Sequence, residues 1–214
     1  MSTTSNRRTR KRLATRQSIS DAATRLFNER GFDKVTVDEI AEAADVGRMT
    51  VFNHFPRKED MFFDLNEEGY ADLRAALWQR DPVMSPLEAL RLFAHRIVAE
   101  GRPYIRFFDG SEKFMQTIAG SETLKARARA IRDELTALVQ VELAEAVGRD
   151  RTDSDGHLTA NLVLATWTVA FMEAHRTFAQ NHDSEEARKT FLAIVDRGTL
   201  GVKAAVADTP YAEV

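Results

Sequence analysis

The sequence contains no cysteine, and its 214 residues include only 5 prolines and 10 glycines. The absence of cysteine excludes disulfides, thiolate nucleophiles and cysteine-based zinc or iron–sulfur sites, and it suits a reducing cytosol. So few turn-forming residues argue against an all-β sandwich. The longest nearly apolar run, residues 162–172, is about half of the ~20 residues that a membrane-spanning helix needs. The basic N-terminus lacks the apolar stretch of a signal peptide. We therefore expect a soluble cytoplasmic protein with no membrane partner.

Charge is distributed unevenly along the chain. The net charge is −3, yet residues 1–58 carry +5 and the remainder carries −8. A basic end on an acidic body indicates a polyanionic partner at that end. An ordinary solvated N-terminal tail explains the same numbers, so charge alone leaves both interpretations open.

From residue 13 onward the apolar spacing predicts helices, and the expected fold class is all-α. A first helix carries one apolar stripe and ends at Gly31. Thr36 and Glu39 form a capping-box pattern that opens a short second helix. A turn at residues 45–47 separates it from a third helix, residues 48–54, which buries Val51 and Phe55. Two short helices joined by a three-residue turn are typical of a helix-turn-helix.

Further helices are predicted along the rest of the chain. One continuous helix is expected from Lys58 to Leu77, a second begins at Ser85, a short one covers residues 112–118, and Ser121 caps a long one. In the last two, residues 162–172 are apolar around the whole circumference, and Gly198 and Gly201 permit close helix packing, although Gly201 equally suits a helix end. We interpret this pair as a homodimer interface; a purely internal core is the alternative.

Residues 35–60, VTVDEIAEAADVGRMTVFNHFPRKED, closely resemble the DNA-binding signature of the TetR family of transcriptional regulators. The resemblance extends over about residues 13–70. It implies a three-helix DNA-binding head, residues 13–72 with the helix-turn-helix at about 36–55. A larger helical body for effector binding and dimerisation would follow, residues 73–206. Residues 1–12 are expected to be a flexible basic arm, and residues 207–214 a tail.

The resemblance also assigns expected roles in binding double-stranded DNA. Arg48 is the main candidate for reading bases, because a guanidinium can bond guanine O6 and N7 together. The other candidates on the third helix are expected to contact bases or phosphates: Met49, Thr50, Phe52, Asn53 and His54. Thr36 and Lys58, at helix starts, are expected to contact phosphates, and Arg10 and Arg12 in the arm either follow phosphates or enter a narrow minor groove. Phe52 stands where the family commonly has tyrosine, and Met49 replaces a small residue, so operator choice is affected more than DNA binding. For His54, capping or packing remains an alternative.

The body is rich in aromatic residues, and the family typically binds a small effector there. The candidates for an apolar effector site are Phe93, Phe107, Phe108, Trp167, Phe171 and His175, with His95, Arg106 and Thr166 as further polar contacts. Each aromatic ring taken singly is better explained as core. Trp167, Phe171 and His175 share one helical face. The effector class suggested by this composition is a medium-sized, largely apolar molecule.

These observations favour a repressor that binds a pseudo-palindromic operator as a dimer and is released by the effector. A ligand-insensitive DNA-binding protein or an activator is the main alternative, and a protein adaptor leaves the third helix unexplained. The chain has none of the GxSxG, GxGxxG, P-loop or HExxH patterns, and its 5 histidines are scattered. We therefore expect no catalytic site, no metal and no cofactor.

Overall fold

Residues 3–213, the part of the chain that this computed structural model describes, contain α-helices and short 3₁₀ turns but no strand, as the predicted all-α class requires. Side chains are described from Arg7 onward. Residues 1, 2 and 214, at the ends of the expected arm and tail, lie outside the described residues. The helices are α1 Thr3–Arg30, α2 Val37–Ala43, α3 Arg48–His54, α4 Lys58–Phe62, α5 Asn66–Trp78, α6 Pro86–Ala99, α7 Asp109–Gly120, α8 Glu122–Ala146, α9 Ser154–Asn181 and α10 Ser184–Ala205.

The helices form two compact units. The first contains the chain up to Asp64 together with Thr117–Arg127, and the second contains Leu65–Gln116 and the chain from Ala128 onward. The first unit therefore includes the end of α7 and the start of α8, which follow its other helices by more than fifty residues. No local pattern in the sequence predicts that residues 117–127 belong to the first unit.

The first unit is organised around one apolar core. Helices α1 to α4 each supply buried side chains, and α8 adds Leu124; the group includes Ile19, Phe27, Ile40, Val51, Met61 and Leu124. Two polar contacts hold the α7–α8 segment in this unit. The Ser121 hydroxyl donates to Asp33 over 2.9 Å, and Arg127 pairs with Asp60 over 2.9 Å. The segment thus supports the α1–α4 core directly.

In the second unit, α9 and α10 form a tightly packed hairpin. Asp153 caps the start of α9, and α9 ends at His182 in the left-handed region, with φ of 51°. A Cβ added at Gly198 would collide with the Thr166 side chain, so glycine is what allows the two helices to approach at that point. Gly201 lies inside α10, which continues to Ala205, and the alternative of a helix end at Gly201 is wrong.

The predicted single helix from Lys58 to Leu77 is also wrong. The chain leaves the helix after Phe62 and re-enters it at Asn66, with Phe63 at φ −105° and ψ 38°. Met61 is buried in the first core, whereas Leu73 and Leu77 are buried in the second. The apolar residues before and after the break therefore belong to different cores. They do not form one continuous apolar stripe on a single helix.

The two ends of the chain are more structured than the sequence indicated. Instead of a flexible arm, α1 extends back to Thr3, because arginine and lysine are good helix formers and residues 3–30 contain neither proline nor glycine. The short helix expected at 112–118 likewise extends over Asp109–Gly120. In the tail, Tyr211 is fully buried and its hydroxyl donates to Asp153 over 2.7 Å. That bond ties the tail to the start of α9.

Candidate nucleic-acid interface

The start of α2 is held by the capping box that the sequence predicts. The Thr36 backbone N–H donates to Glu39 Oε2 over 2.7 Å, and the Glu39 N–H donates to the Thr36 hydroxyl over 3.3 Å. Arg30 also donates to Glu39, over 2.7 Å. The backbone bond from Thr36 is the main reason that the pKa of Glu39 falls to about 2, with Arg30 next. The carboxylate is therefore ionised and fixed at neutral pH.

A tight turn sets the direction of α3 relative to α2. Asp45 adopts the left-handed conformation with φ of 53°, which aspartate tolerates better than most residues. The Val46 N–H donates to the Ala41 carbonyl over 3.0 Å, closing the end of α2. Gly47 is the N-cap of α3 and makes no side-chain cap bond. The conformation of Asp45 and the hydrogen bond from Val46 to Ala41 thus fix the turn that joins the two helices.

Helix α3 has a buried side and an exposed side. Val51 and the following Phe55 lie in the core, where they anchor the helix. The exposed and half-buried side chains on the other side are Arg48, Met49, Thr50, Phe52, Asn53 and His54. Met49 is 70% exposed, so its side chain is available to a partner. All six candidates predicted on α3 therefore lie outside the buried core, around the remaining circumference of the helix.

Arg48 is paired with the preceding helix. Its Nη1 lies 2.7 Å from Asp38 Oδ2, and its guanidinium carbon lies 5.5 Å from the centre of the Phe52 ring. Both partners of the ion pair are more than half exposed. An exposed pair of this kind contributes about 0–1 kcal/mol, so Arg48 can exchange Asp38 for another hydrogen-bond acceptor at little cost.

Lys58, which was expected to contact a phosphate, makes hydrogen bonds inside the first unit. Its ammonium donates to the carbonyls of Phe32 and Val35 over 2.9 and 3.0 Å, and it lies 4.1 Å from the centre of the Phe32 ring. These contacts connect the start of α4 to the 3₁₀ turn after α1. The ammonium therefore holds the loop that precedes α2. Thr36, the other helix-start candidate, is exposed, with its hydroxyl engaged in the capping box.

Arg16, on α1, contributes to this site and was missed by sequence reasoning. Its Nη1 donates to the His54 carbonyl over 2.7 Å, and its guanidinium carbon lies 4.1 Å from the centre of the Phe55 ring. Burial lowers the pKa of His54, and the charges of Arg12 and Arg16 lower it further. A contact across 38 residues leaves no periodic signal in the sequence.

Because the N-terminal segment is helical, the two arm candidates, Arg10 and Arg12, lie on different faces of α1. Arg12 and Arg16 are four residues apart on α1, so they share a face near the end of α3. Arg10 is exposed and lies two residues from Arg12, which places it on another face of the same helix. Arg12 is thus brought together with His54, and Arg10 is not.

The effector candidates lie in the second unit, and five of the six form one aromatic cluster. The rings of Phe93 and Trp167 stack with their centres 5.8 Å apart. The His175 ring lies edge-on to Phe107 and Phe171, at 4.9 and 4.3 Å. Phe108, the sixth candidate, is 52% exposed.

The other polar effector candidates are engaged elsewhere in the second unit. His95 pairs with Asp196 over 2.8 Å, Arg106 donates to the Gly101 carbonyl over 2.9 Å, and Thr166 faces Gly198. His175 is the exception: it is 7% exposed, and neither ring nitrogen has a hydrogen-bond partner. Burial lowers its pKa to about 4, so the imidazole is neutral at pH 7.

In residues 3–213, no helix combines the length and apolar character that crossing a bilayer requires. Over the same part of the chain, no group of three or more metal-ligating side chains comes together.

The geometry of the first unit defines a helix-turn-helix domain, with α3 as its exposed second helix. Residues 19–65 match the model of the bacterial regulatory proteins of the tetR family. The resemblance inferred from the sequence is thereby confirmed over these residues.

Curated relatives extend the comparison. The HTH-type transcriptional regulator AcrR of Shigella flexneri is 38% identical over 80 residues, which are 36% of this chain and 37% of that protein. The alignment thus spans little more than a third of AcrR. The HTH-type transcriptional repressor DhaR of a Mycobacterium species is 23% identical over 166 residues, 75% of this chain and 82% of that protein. These relatives are named as regulators or repressors.

A solved structure matches the fold over most of the chain. The complex of SmeT with triclosan superposes with a TM-score of 0.54 at 19% identity, covering 88% of this chain and 91% of SmeT. SmeT is described as the repressor of a Stenotrophomonas maltophilia multidrug efflux pump. At this level of identity the similarity shows a shared all-α fold.

Proposed function

We propose that the protein is a sequence-specific transcriptional regulator that represses by binding a pseudo-palindromic operator as a homodimer and is released by a small-molecule effector. The observation that carries this proposal is α3, which is anchored by Val51 and Phe55 and exposes its polar face within a TetR-family domain. A helix of this kind fits the DNA major groove, where each base pair presents a distinct set of hydrogen-bonding groups.

Arg48 is the proposed base reader. Its side chain is more than half exposed near the start of α3, and its present partner, Asp38, is an exposed carboxylate that a guanine edge can replace. Met49, Thr50 and Asn53 follow along the same face. The exposed Met49 side chain suits contact with a thymine methyl group, and the hydroxyl and amide of the other two suit bases or phosphates.

Phosphate contacts are proposed on either side of α3. Arg12 and His54 lie together near its C-terminal end, and Arg10 adds charge on another face of α1. Phe52 packs under Arg48 and has no hydroxyl to offer a phosphate. Thr36 offers its hydroxyl at the start of α2. The Lys58 ammonium already donates two internal hydrogen bonds and keeps one N–H for a phosphate, so its proposed role is mainly to position the preceding loop.

The proposed homodimer uses α9 and α10. Leu158, Val169 and Met172 lie on one exposed face of α9, at 44%, 52% and 56% exposure, and Leu200 of α10 is 71% exposed. Apolar side chains lined up on adjacent helices favour burial against a second copy. A two-fold dimer would place its α3 helices in half-sites one or more DNA turns apart, about 34–36 Å per turn.

The effector site is proposed in the aromatic cluster of the second unit, around Phe93, Phe107, Trp167, Phe171 and His175. An apolar site with a few polar groups is the usual form of a ligand pocket, and the structure of SmeT with triclosan is an example of such a fold with a small molecule bound. An effector that favours the non-binding state weakens DNA affinity by its differential affinity for the two states, typically about 1–3 kcal/mol.

The test compares DNA flanking the protein's own coding region with a scrambled fragment across a salt series. We expect Arg48→Ala to weaken binding to the flanking DNA about 10- to 100-fold and to leave the scrambled fragment nearly unaffected. Arg151→Ala, which removes the same charge from an exposed position of the second unit, is the matched control. Equal losses on both DNAs would assign Arg48 to a phosphate, and no loss on either would overturn its role.

A further inference from the structure

His175 is a buried polar residue whose side chain makes no hydrogen bond. It lies on α9 with 7% of its surface exposed, and its Nδ1 and Nε2 have no hydrogen-bond partner. Its ring contacts are aromatic: Phe107 at 4.9 Å and Phe171 at 4.3 Å, both edge-on. A neutral imidazole carries one donor and one acceptor, so two hydrogen-bonding atoms are buried and unpaired at this point.

This arrangement is unfavourable in the free protein. A buried donor or acceptor that loses its bonds to water and gains none in return lowers stability. A phenylalanine at position 175 would fill a similar volume among the same rings without that cost. A bound molecule with a hydroxyl or similar group could therefore supply the hydrogen bonds that the two His175 nitrogens lack.

The ring that covers His175 belongs to the segment between α6 and α7. Phe107 is 3% exposed, and its ring also faces Phe171 and Phe191, at 6.5 and 6.4 Å. It follows the 3₁₀ turn Pro103–Ile105 and lies outside any helix. One hydrogen bond anchors its backbone, from the Ser184 hydroxyl to the Phe107 carbonyl over 2.6 Å. The ring can therefore be displaced without breaking the hydrogen bonds of a helix.

We propose that the Phe107 ring occupies the place of a ligand ring, and that the ligand is a neutral aromatic molecule whose hydroxyl group hydrogen-bonds His175. A hydroxyl both donates and accepts, so it pairs with either imidazole nitrogen in either tautomer. Phe93 and Trp167 extend the aromatic wall on the same side of α9. The ring contacts described for His175 are aromatic, so a charged ammonium ligand would lose its hydration and gain no carboxylate from those rings in return. This inference rests on the proposed effector function and specifies the chemistry of its site.

The test uses phenol, toluene and benzylamine as probes on the full chain. Phe107→Ala and the milder Phe107→Leu each open space beside His175, and a buried apolar space of this kind binds small aromatic molecules. By calorimetry we expect both variants to bind phenol at least 10-fold more tightly than toluene, with benzylamine weakest. The ¹⁵N shifts of the His175 ring should change on phenol addition.

The matched variants separate the hydrogen bond from ring packing. His175→Phe in the Phe107→Leu background should retain toluene binding and lose the preference for phenol. His157→Phe, an exposed histidine of the same helix, should change neither. Equal affinity for phenol and toluene, a preference that survives His175→Phe, or no binding of either probe to both Phe107 variants would overturn the proposal.

A DNA-binding measurement keeps this inference distinct from the proposed function. If phenol binds through His175 while DNA affinity is unchanged, the site stands and its role in effector release fails. If other small molecules release DNA from the wild type and phenol binds neither variant, effector release stands and the His175 site is overturned.

Discussion

The two units differ in whether their key polar side chains have hydrogen-bond partners. Around α3 the side chains that shape the site are paired: Thr36 with Glu39, Lys58 with two carbonyls, and Arg16 with the His54 carbonyl. In the second unit, His175 is buried among aromatic rings with neither nitrogen paired. The first arrangement presents a fixed surface to a partner. The second leaves two buried nitrogens whose hydrogen bonds a ligand can supply.

The largest expected effect is at Lys58. Lys58→Met removes two charge-assisted hydrogen bonds to the Phe32 and Val35 carbonyls, and we expect the free energy of unfolding to fall by about 2–3 kcal/mol. Chemical denaturation measures this loss. Lys34→Met, at an exposed position nearby, should change stability by less than about 0.5 kcal/mol. Similar values for the two variants would contradict a fixed first unit.

The second prediction has the opposite sign. His175→Phe should raise the free energy of unfolding of the ligand-free protein by about 1–2 kcal/mol, because it removes two buried unpaired atoms while keeping ring packing. Thermal and chemical denaturation both report the change. A loss of stability would show that the imidazole nitrogens are already satisfied, for example by a buried water.

The pH dependence of stability tests the same group independently. The pKa of His175 is about 4 in the folded state, below its ordinary value near 6.5, so the unfolded chain binds more protons between these values. Stability is therefore greatest above pH 6.5 and falls as the pH drops towards 4. Between pH 6.5 and 5.5 we expect the wild type to lose about 1 kcal/mol more than His175→Phe does. Parallel pH profiles for the two proteins would contradict burial of a neutral imidazole.

The smallest effect is expected at the start of α2. Thr36→Ala removes a capping bond and should cost about 0.5–1 kcal/mol, whereas Thr15→Ala, inside α1, should be neutral or slightly stabilising. The folded-state pKa of Glu39 is about 2, below its ordinary 4.5, so its contribution is present above pH 4.5 and is lost as the pH falls through about 2. Denaturation at pH 4 and pH 7 should show the Thr36→Ala deficit at both values.

Local chemistry explains which parts of the site could be predicted. The capping box at Thr36 and the turn at residues 45–47 depend on neighbouring residues alone, so the sequence predicts both. Arg16 and the inward Lys58 depend on contacts 38 and 23–26 residues away, which no periodicity encodes.

The errors in the fold have a similar origin. Apolar spacing shows that a helix has a buried side, but it does not show which core the side faces, so the break between α4 and α5 and the placement of Leu124 in the first unit were not foreseen. Phe107 and Phe108 are adjacent in a non-helical segment, where spacing cannot distinguish the buried ring from the exposed one. Tyr211 is buried through a bond to Asp153 on a distant helix.

Selection from random-sequence DNA tests the central claim most directly, because it does not depend on where an operator lies. We predict that the full-length protein enriches a two-fold symmetric motif whose half-sites are one or more DNA turns apart, and that Arg48→Ala relaxes the bases read in each half-site. Recovery of DNA without any common motif, under conditions where binding is detected, would contradict the account.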